Sequence, residues 1–257
     1  MSAGQTIGAA VWASSILFGA AWVMFLLRRD AAGRRTILAG WVVCLVIFGL
    51  NWRLAGGPPF GNMYHVMVLL GLCIPVMYAI LTRRAEMGWA GAYFAFTAAI
   101  VLAGAGCMPR DVHWRRMPAL QSPWFVPHVF AYMLSYATMA LAFAMTVVKR
   151  VRADGGRHGE AARLLIRAGF PFMTFGMLSG ALWAEEAWGV YWSWDPKETW
   201  SLITWTGYLA FLHATHDPRT ARWADAAQAM AFLALLWTFF LVNLAPRLAS
   251  VLHGYAG

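Results

Sequence analysis

Eight long apolar runs, broken by short basic or aromatic connections, leave this chain few ways to fold. The runs are 6–27, 35–55, 62–82, 87–105, 123–148, 165–187, 198–216 and 225–246. A helix that crosses a bilayer needs about 20 apolar residues, and each run is near that length. Lipid offers no partners to open backbone groups, so the runs predict helices. Of 257 residues, 61% are hydrophobic and 12% charged, too apolar a surface for a soluble domain to hide. The pattern predicts an all-α integral membrane protein, with residues 1–257 as one polytopic domain of about eight transmembrane helices. The first run lacks a basic stretch before it, is too long for a signal peptide and ends in Arg28-Arg29. It reads as a retained span.

A net charge of +9 would suit a nucleic-acid partner. The placement of the charge argues against one, because the basic residues sit in the connections, where they set membrane topology. Fourteen Lys and Arg residues follow the odd-numbered runs and six follow the even-numbered ones. That split puts the first set in the cytoplasm and both termini outside. The outer side then receives the connection 106–122, the aromatic stretch between runs six and seven, His128 and His253. Cys44, Cys73 and Cys107 are isolated. Without a C-x-x-C pair the chain is no ordinary thiol–disulfide oxidoreductase, and without C-x-x-C-H it carries no covalent haem.

The stretch W-G-V-Y-W-S-W-D-P-K-E-T-W, 188–200, carries the strongest chemical signal. Trp183, Trp188, Trp192, Trp194, Trp200 and Trp205 fall within 23 residues, interleaved with Glu185, Glu186, Asp195 and Glu198. An interfacial belt of Trp and Tyr is the ordinary explanation for aromatics at a membrane edge. A belt does not require acids, and acids near membrane depth usually mark function. A platform for a large, flat, apolar ligand accounts for both: indole faces give contact area and their N–H groups give direction.

These residues resemble the tryptophan-rich WWD signature of the haem-handling proteins of cytochrome c biogenesis. Within that group, D-P-K-E-T-W is closer to the CcsA/ResC branch, System II, than to the CcmC type. W-A-E-E-A and S-L-I-T-W flank the signature in the same way. S-P-W-F-V-P-H-V-F-A-Y-M-L-S-Y-A (122–137), F-L-H (211–213) and V-N-L…L-H-G-Y (242–255) extend the likeness over the C-terminal half. The N-terminal half matches in span pattern and in N-M-Y at 62–64.

The resemblance implies an external WWD loop that grips haem b through Trp188, Trp192, Trp194, Asp195 and Trp200. His128 and His253 take the positions of the two external histidines that ligate the iron, one on each face. His213 takes that of an intramembrane histidine that holds haem earlier on its way out; from the residues alone, a plain packing role stays open. Arg110, Arg115 and Arg116, around His113, either meet haem propionates or are solvated loop charges. His65 departs from the family pattern and is not expected to ligate; His158 and His216 read as cytoplasmic and incidental. Asp195 either bonds within its loop or poises a proton.

The function implied is export or presentation of haem and its attachment to the C-x-x-C-H motif of an apocytochrome c. This would take place on the outer face of a bacterial inner membrane, or an equivalent energy-transducing membrane. A CcsB/ResB-type membrane protein would be the partner, and the chain would be a subunit of a cytochrome c haem lyase or synthase. Two alternatives stand beside this. One is CcmC-like delivery of haem to a chaperone, disfavoured by D-P-K-E-T-W and the span count. The other is a cytochrome b-type electron carrier, which needs paired histidines stacked across the bilayer, where only His213 is expected to lie deep.

Overall fold

A computed structural model of the protein describes residues 3–85, 87–109, 118–152 and 156–241. Every regular element among them is helical. The long helices are α1 (Ala3–Leu26), α2 (Asp30–Ala55), α3 (Met63–Ala85), α4 (Gly91–Cys107), α5 (Phe125–Arg152), α6 (Arg157–Trp188), α7 (Pro196–Ala214) and α8 (Ala224–Leu236). Each expected run therefore has its helix. Seven segments among the described residues are long and apolar enough to cross a membrane. α7 is not among them, although it has 19 residues, because Lys197, Glu198 and a series of Thr, Ser and Gly residues dilute its apolar character. The expectation of eight crossing helices is thus met in helices but not in hydropathy.

Helix ends differ from the apolar runs in both directions, and the two largest shifts of a start extend the helix into polar sequence. α2 begins at Asp30 rather than 35, and α6 at Arg157 rather than 165. Arg, Glu and Ala are strong helix formers, so the backbone stays helical after the side chains turn polar. At the other end, α8 gives way to a wider π-type turn at Trp237–Leu241. The rest of the run to 246 lies outside the described residues.

The chain groups into two compact units, Met1–Gln121 and Ser122–Gly257. In the first, α1 packs on α2 and α4, and α3 on α2 and α4. Small residues let large rings in: Gly33 and Gly91 both lie against Phe25, and Gly106 against Trp12. Close approach at glycine is a usual means of helix association where water gives no push between apolar surfaces. Polar side chains find neighbouring backbone carbonyls, Ser14 Oγ on Gly40 O at 2.8 Å and Ser15 Oγ on Ala99 O at 2.9 Å. Buried polar groups in such a setting need a partner.

In the second unit α5 packs along α6 and α7 along α8, while α6 touches α7 and α5 touches α8. The α5–α6 seam is close because Gly169, Gly176 and Gly180 of α6 meet Thr138, Tyr132 and His128 of α5 in turn. Trp205 Nε1 donates to Thr174 Oγ1 at 3.0 Å, tying α7 to α6. Phe143 stacks on Phe232 at 4.4 Å and 17°, tying α5 to α8.

Candidate functional site

The aromatic stretch is held open between two helix ends. α6 closes at Gly189, whose φ of +77° suits a residue without a side chain and whose N–H bonds Glu185 O. α7 starts on a capping box. Asp195 is its N-cap, Pro196 follows, and Glu198 returns to the backbone of Asp195. Asp195 Oδ1 accepts the N–H of Lys197 at 2.9 Å. Glu198 Oε2 gathers Ser193 N–H at 2.8 Å, Ser193 O–H at 3.1 Å and Asp195 N–H at 3.2 Å. Both carboxylates are buried. These bonds serve the loop itself, and a carboxylate that receives N–H donors in this way makes a strong anchor. Burial pushes the half-buried Lys197 ammonium down to about 8, with the Asp195 carboxylate working the other way.

The loop so anchored throws Trp194 outward. That residue has φ of +58° and is 68% exposed. A left-handed backbone is uncommon for a bulky residue and is strained. Thr199 Oγ1 on Trp194 O, at 3.2 Å, and the Glu198 contacts on either side hold it there.

The tryptophans fall into three groups rather than one stack. Trp188, the last residue of α6, lies 4.9 Å from Trp183, and Trp183 lies 5.4 Å from the ring of His128. Trp192 and Trp194 meet edge to face at 6.0 Å. Trp200, on α7, packs on Trp237 at 5.2 Å and 33°. Trp192 Nε1 is buried and has no hydrogen-bond partner among the described residues.

His128 sits one turn into α5, half-buried. Its Nδ1 is 2.8 Å from the carbonyl oxygen of Gly176 on α6. A carbonyl only accepts, so Nδ1 carries the proton and the lone pair of the neutral ring lies on Nε2. This is the arrangement in which a second contact orients a metal-binding imidazole. Gly180 makes the room: a Cβ there would come within 2.5 Å of Nδ1 and 2.6 Å of Cε1. Tyr132 presents its ring at 82° and 5.1 Å. Near the start of α5, Ser122 Oγ donates to Glu186 Oε2 at 2.5 Å and accepts Trp124 N–H at 3.2 Å. Glu186 thereby ties the end of α6 to the entry of α5.

Of the site residues expected from sequence, the structure joins His128 to Trp188 through Trp183. His213 lies in the last turn of α7, exposed, with Nδ1 2.9 Å from Leu209 O of its own helix. His65 is buried in the first unit, beside Tyr64. His253, His113, Arg110, Arg115 and Arg116 lie outside the described residues. Sequence reasoning counted Trp183 in the aromatic cluster without pairing it with His128, and did not single out Tyr132, Gly176 or Gly180. Their signal was present: His128 and Tyr132 are four apart on α5, as Gly176 and Gly180 are on α6, a ring-into-gap register for two packed helices.

Comparison with known proteins gives a consistent result. The family described as Cytochrome C assembly protein matches residues 60–249. The Cytochrome c biogenesis protein CcsA of Adiantum capillus-veneris is 32% identical over 250 residues, covering 77% of this chain and 78% of that one. The protein of the same name from Chlamydomonas reinhardtii is 30% identical over 236 residues, covering 83% of this chain. This chain spans 65% of that relative's length. The one from Synechocystis sp. is 29% identical, covering 96% of this chain and 92% of its own. Among solved structures, Cytochrome c Heme Lyase CcmF superposes with a TM-score of 0.69 at 22% identity, covering 95% of this chain and 47% of that chain. At that identity the likeness bears on the fold.

Proposed function

The chain belongs to the cytochrome C assembly protein family, and from that premise we propose that it binds haem b and presents it for attachment to an apocytochrome c. It is a CcsA-type protein with helices suited to a membrane. Haem here is the substrate. In the attachment reaction each Cys thiol of a C-x-x-C-H motif adds across a haem vinyl group, S–H across C=C, with no leaving group. The chemistry belongs to haem and thiols; the protein's share is to hold, orient and exclude.

One observation carries this reading. His128 is held by the Gly176 carbonyl in the tautomer whose Nε2 can ligate iron, within ring contact of Trp183. The orphaned N–H of Trp192 and the outward face of Trp194 suit the polar and apolar parts of a porphyrin rim. His253 is the second axial ligand in this proposal, and Trp188 and Trp200 bound the platform. Asp195 contributes by shaping the loop. Arg110, Arg115 and Arg116 are proposed to meet the propionates, and His213 to hold haem at an earlier stop. The acting face is the non-cytoplasmic side of an energy-transducing membrane, as the Lys and Arg distribution supports. A CcsB/ResB-type membrane protein is the proposed partner.

The test is spectroscopic. The chain purified with its partner is expected to show a low-spin bis-histidine haem spectrum. His128→Ala and His253→Ala each weaken it, and added imidazole restores it in part. An unchanged spectrum in both variants removes the ligand assignment.

A further inference from the structure

At the end of the second unit remote from the aromatic loop, α5, α6, α7 and α8 line a partly open cavity of about 80 Å³. Lys149 lines it and stands about 30 Å along α5 from His128 at 1.5 Å per residue. The other polar side chains of the lining are Thr146, Arg163, Thr215, Asp225 and Gln228.

The donors in this cavity outnumber its acceptors. Thr146 Oγ1 donates to Gln228 Oε1 at 2.6 Å, a length typical of O–H···O and short for N–H···O. With the amide oxygen on Thr146, Gln228 Nε2 is fully buried with no partner among the described residues. Asp225 is already committed. Lys149 Nζ reaches both its oxygens at 3.0 Å, and Arg150 Nε reaches one at 3.1 Å. Arg163 is half-buried and makes no ion pair or side-chain hydrogen bond among the described residues. The first turns of α6 and α8 also border the space through Gly159 and Ala224, and helix starts carry partial positive charge.

We infer that this cavity binds one anionic oxygen group, a carboxylate or a phosphate, between the Gln228 amide and the Arg163 guanidinium. A buried amide N–H without an acceptor is costly, and a water molecule would satisfy it without answering the surplus positive charge. The volume admits one such group and excludes a nucleotide or a porphyrin. The occupant is either a free small anion or the headgroup of an anionic lipid whose chains stay outside. The inference does not depend on the haem reading, since no residue of the aromatic loop takes part.

The full chain in neutral detergent is titrated with inorganic phosphate while its thermal unfolding is followed. In parallel, the same protein is placed in phosphatidylcholine nanodiscs with and without phosphatidylglycerol. A saturable rise in Tm with phosphate supports a free-anion site; a rise with phosphatidylglycerol alone supports a headgroup site. Gln228→Glu keeps the size and the Thr146 bond, places a negative charge in the cavity and should abolish the rise. Arg163→Gln, at the half-exposed rim where folding is least at risk, should raise the half-saturating concentration at least tenfold. No rise with either ligand overturns the inference, as does a rise of equal size in both variants.

Discussion

The imidazole of His128 occupies the space that a side chain at position 180 would need; a methyl group there would lie 2.5 Å from Nδ1. One helix thus supplies the ring, and its neighbour supplies both the gap and the carbonyl that orients it.

Gly180→Ala is expected to push the ring out of line while leaving His128 in the chain. Overpacking a tight site costs about 1–3 kcal/mol, so haem retention should fall roughly tenfold. Added imidazole should not rescue this variant, because no hole has been opened, whereas it should rescue His128→Ala. Soret absorbance per protein, with and without imidazole, separates the two; a wild-type spectrum in Gly180→Ala would contradict the cradle.

Glu198→Ala removes the acceptor for three donors of the loop. Losing a charged acceptor for buried donors costs about 1–3 kcal/mol, and Trp194 then loses the support for its left-handed backbone. Hydrogen exchange across 189–195 should rise about tenfold, with a smaller rise in Glu198→Gln, which keeps one carbonyl oxygen. Equal exchange in the wild type and Glu198→Ala would show that the loop is held by other means.

Lys197 should titrate near pH 8, below the usual lysine range. Its pKa is lowered on folding, so between about 8 and 10.5 the unfolded chain binds more protons. Stability should therefore rise with pH across that window, and below it the half-buried ammonium is a standing cost. The chain holds one other lysine, Lys149, which mass spectrometry of the peptides distinguishes from Lys197. Acylation of Lys197, followed by mass spectrometry against pH, is expected to reach half its plateau rate near pH 8. Half-plateau near 10.5 would show the amine to be solvated.

Gly169→Ala sets a methyl against Thr138 Oγ1 at the α5–α6 seam. It should destabilise the protein by about 1–3 kcal/mol. Thr138→Ala in the same chain removes the clashing oxygen and should recover part of the loss. Unfolding of the two single variants and the double variant gives the coupling energy, and simple additivity would place the seam elsewhere.

The outline of the molecule was legible early. Each of the eight runs became a helix because apolar length and the need to close backbone hydrogen bonds act locally. Their ends were less legible: α6 starts among arginines and alanines, which favour helix as well as the apolar residues after them do. Asp195 and Glu198 were read as signs of function in a lipid setting. Their bonds to Ser193, Asp195 and Lys197 stay within the loop and the first turn of α7, as D-P-K-E ahead of a helix allows in the form of a capping box.

By itself the sequence determined the solvent of the fold, the helices and the place of the aromatic loop between two of them. These follow from composition and from contacts a few residues apart. Only the tertiary structure decided that Trp183, rather than the tryptophans of the loop, touches His128, and that Gly176 and Gly180 hold the ring. Those contacts join residues roughly 50 apart, and they depend on how two helices are turned and slid against each other. That register is settled by the summed fit of many side chains, which no short stretch of sequence contains.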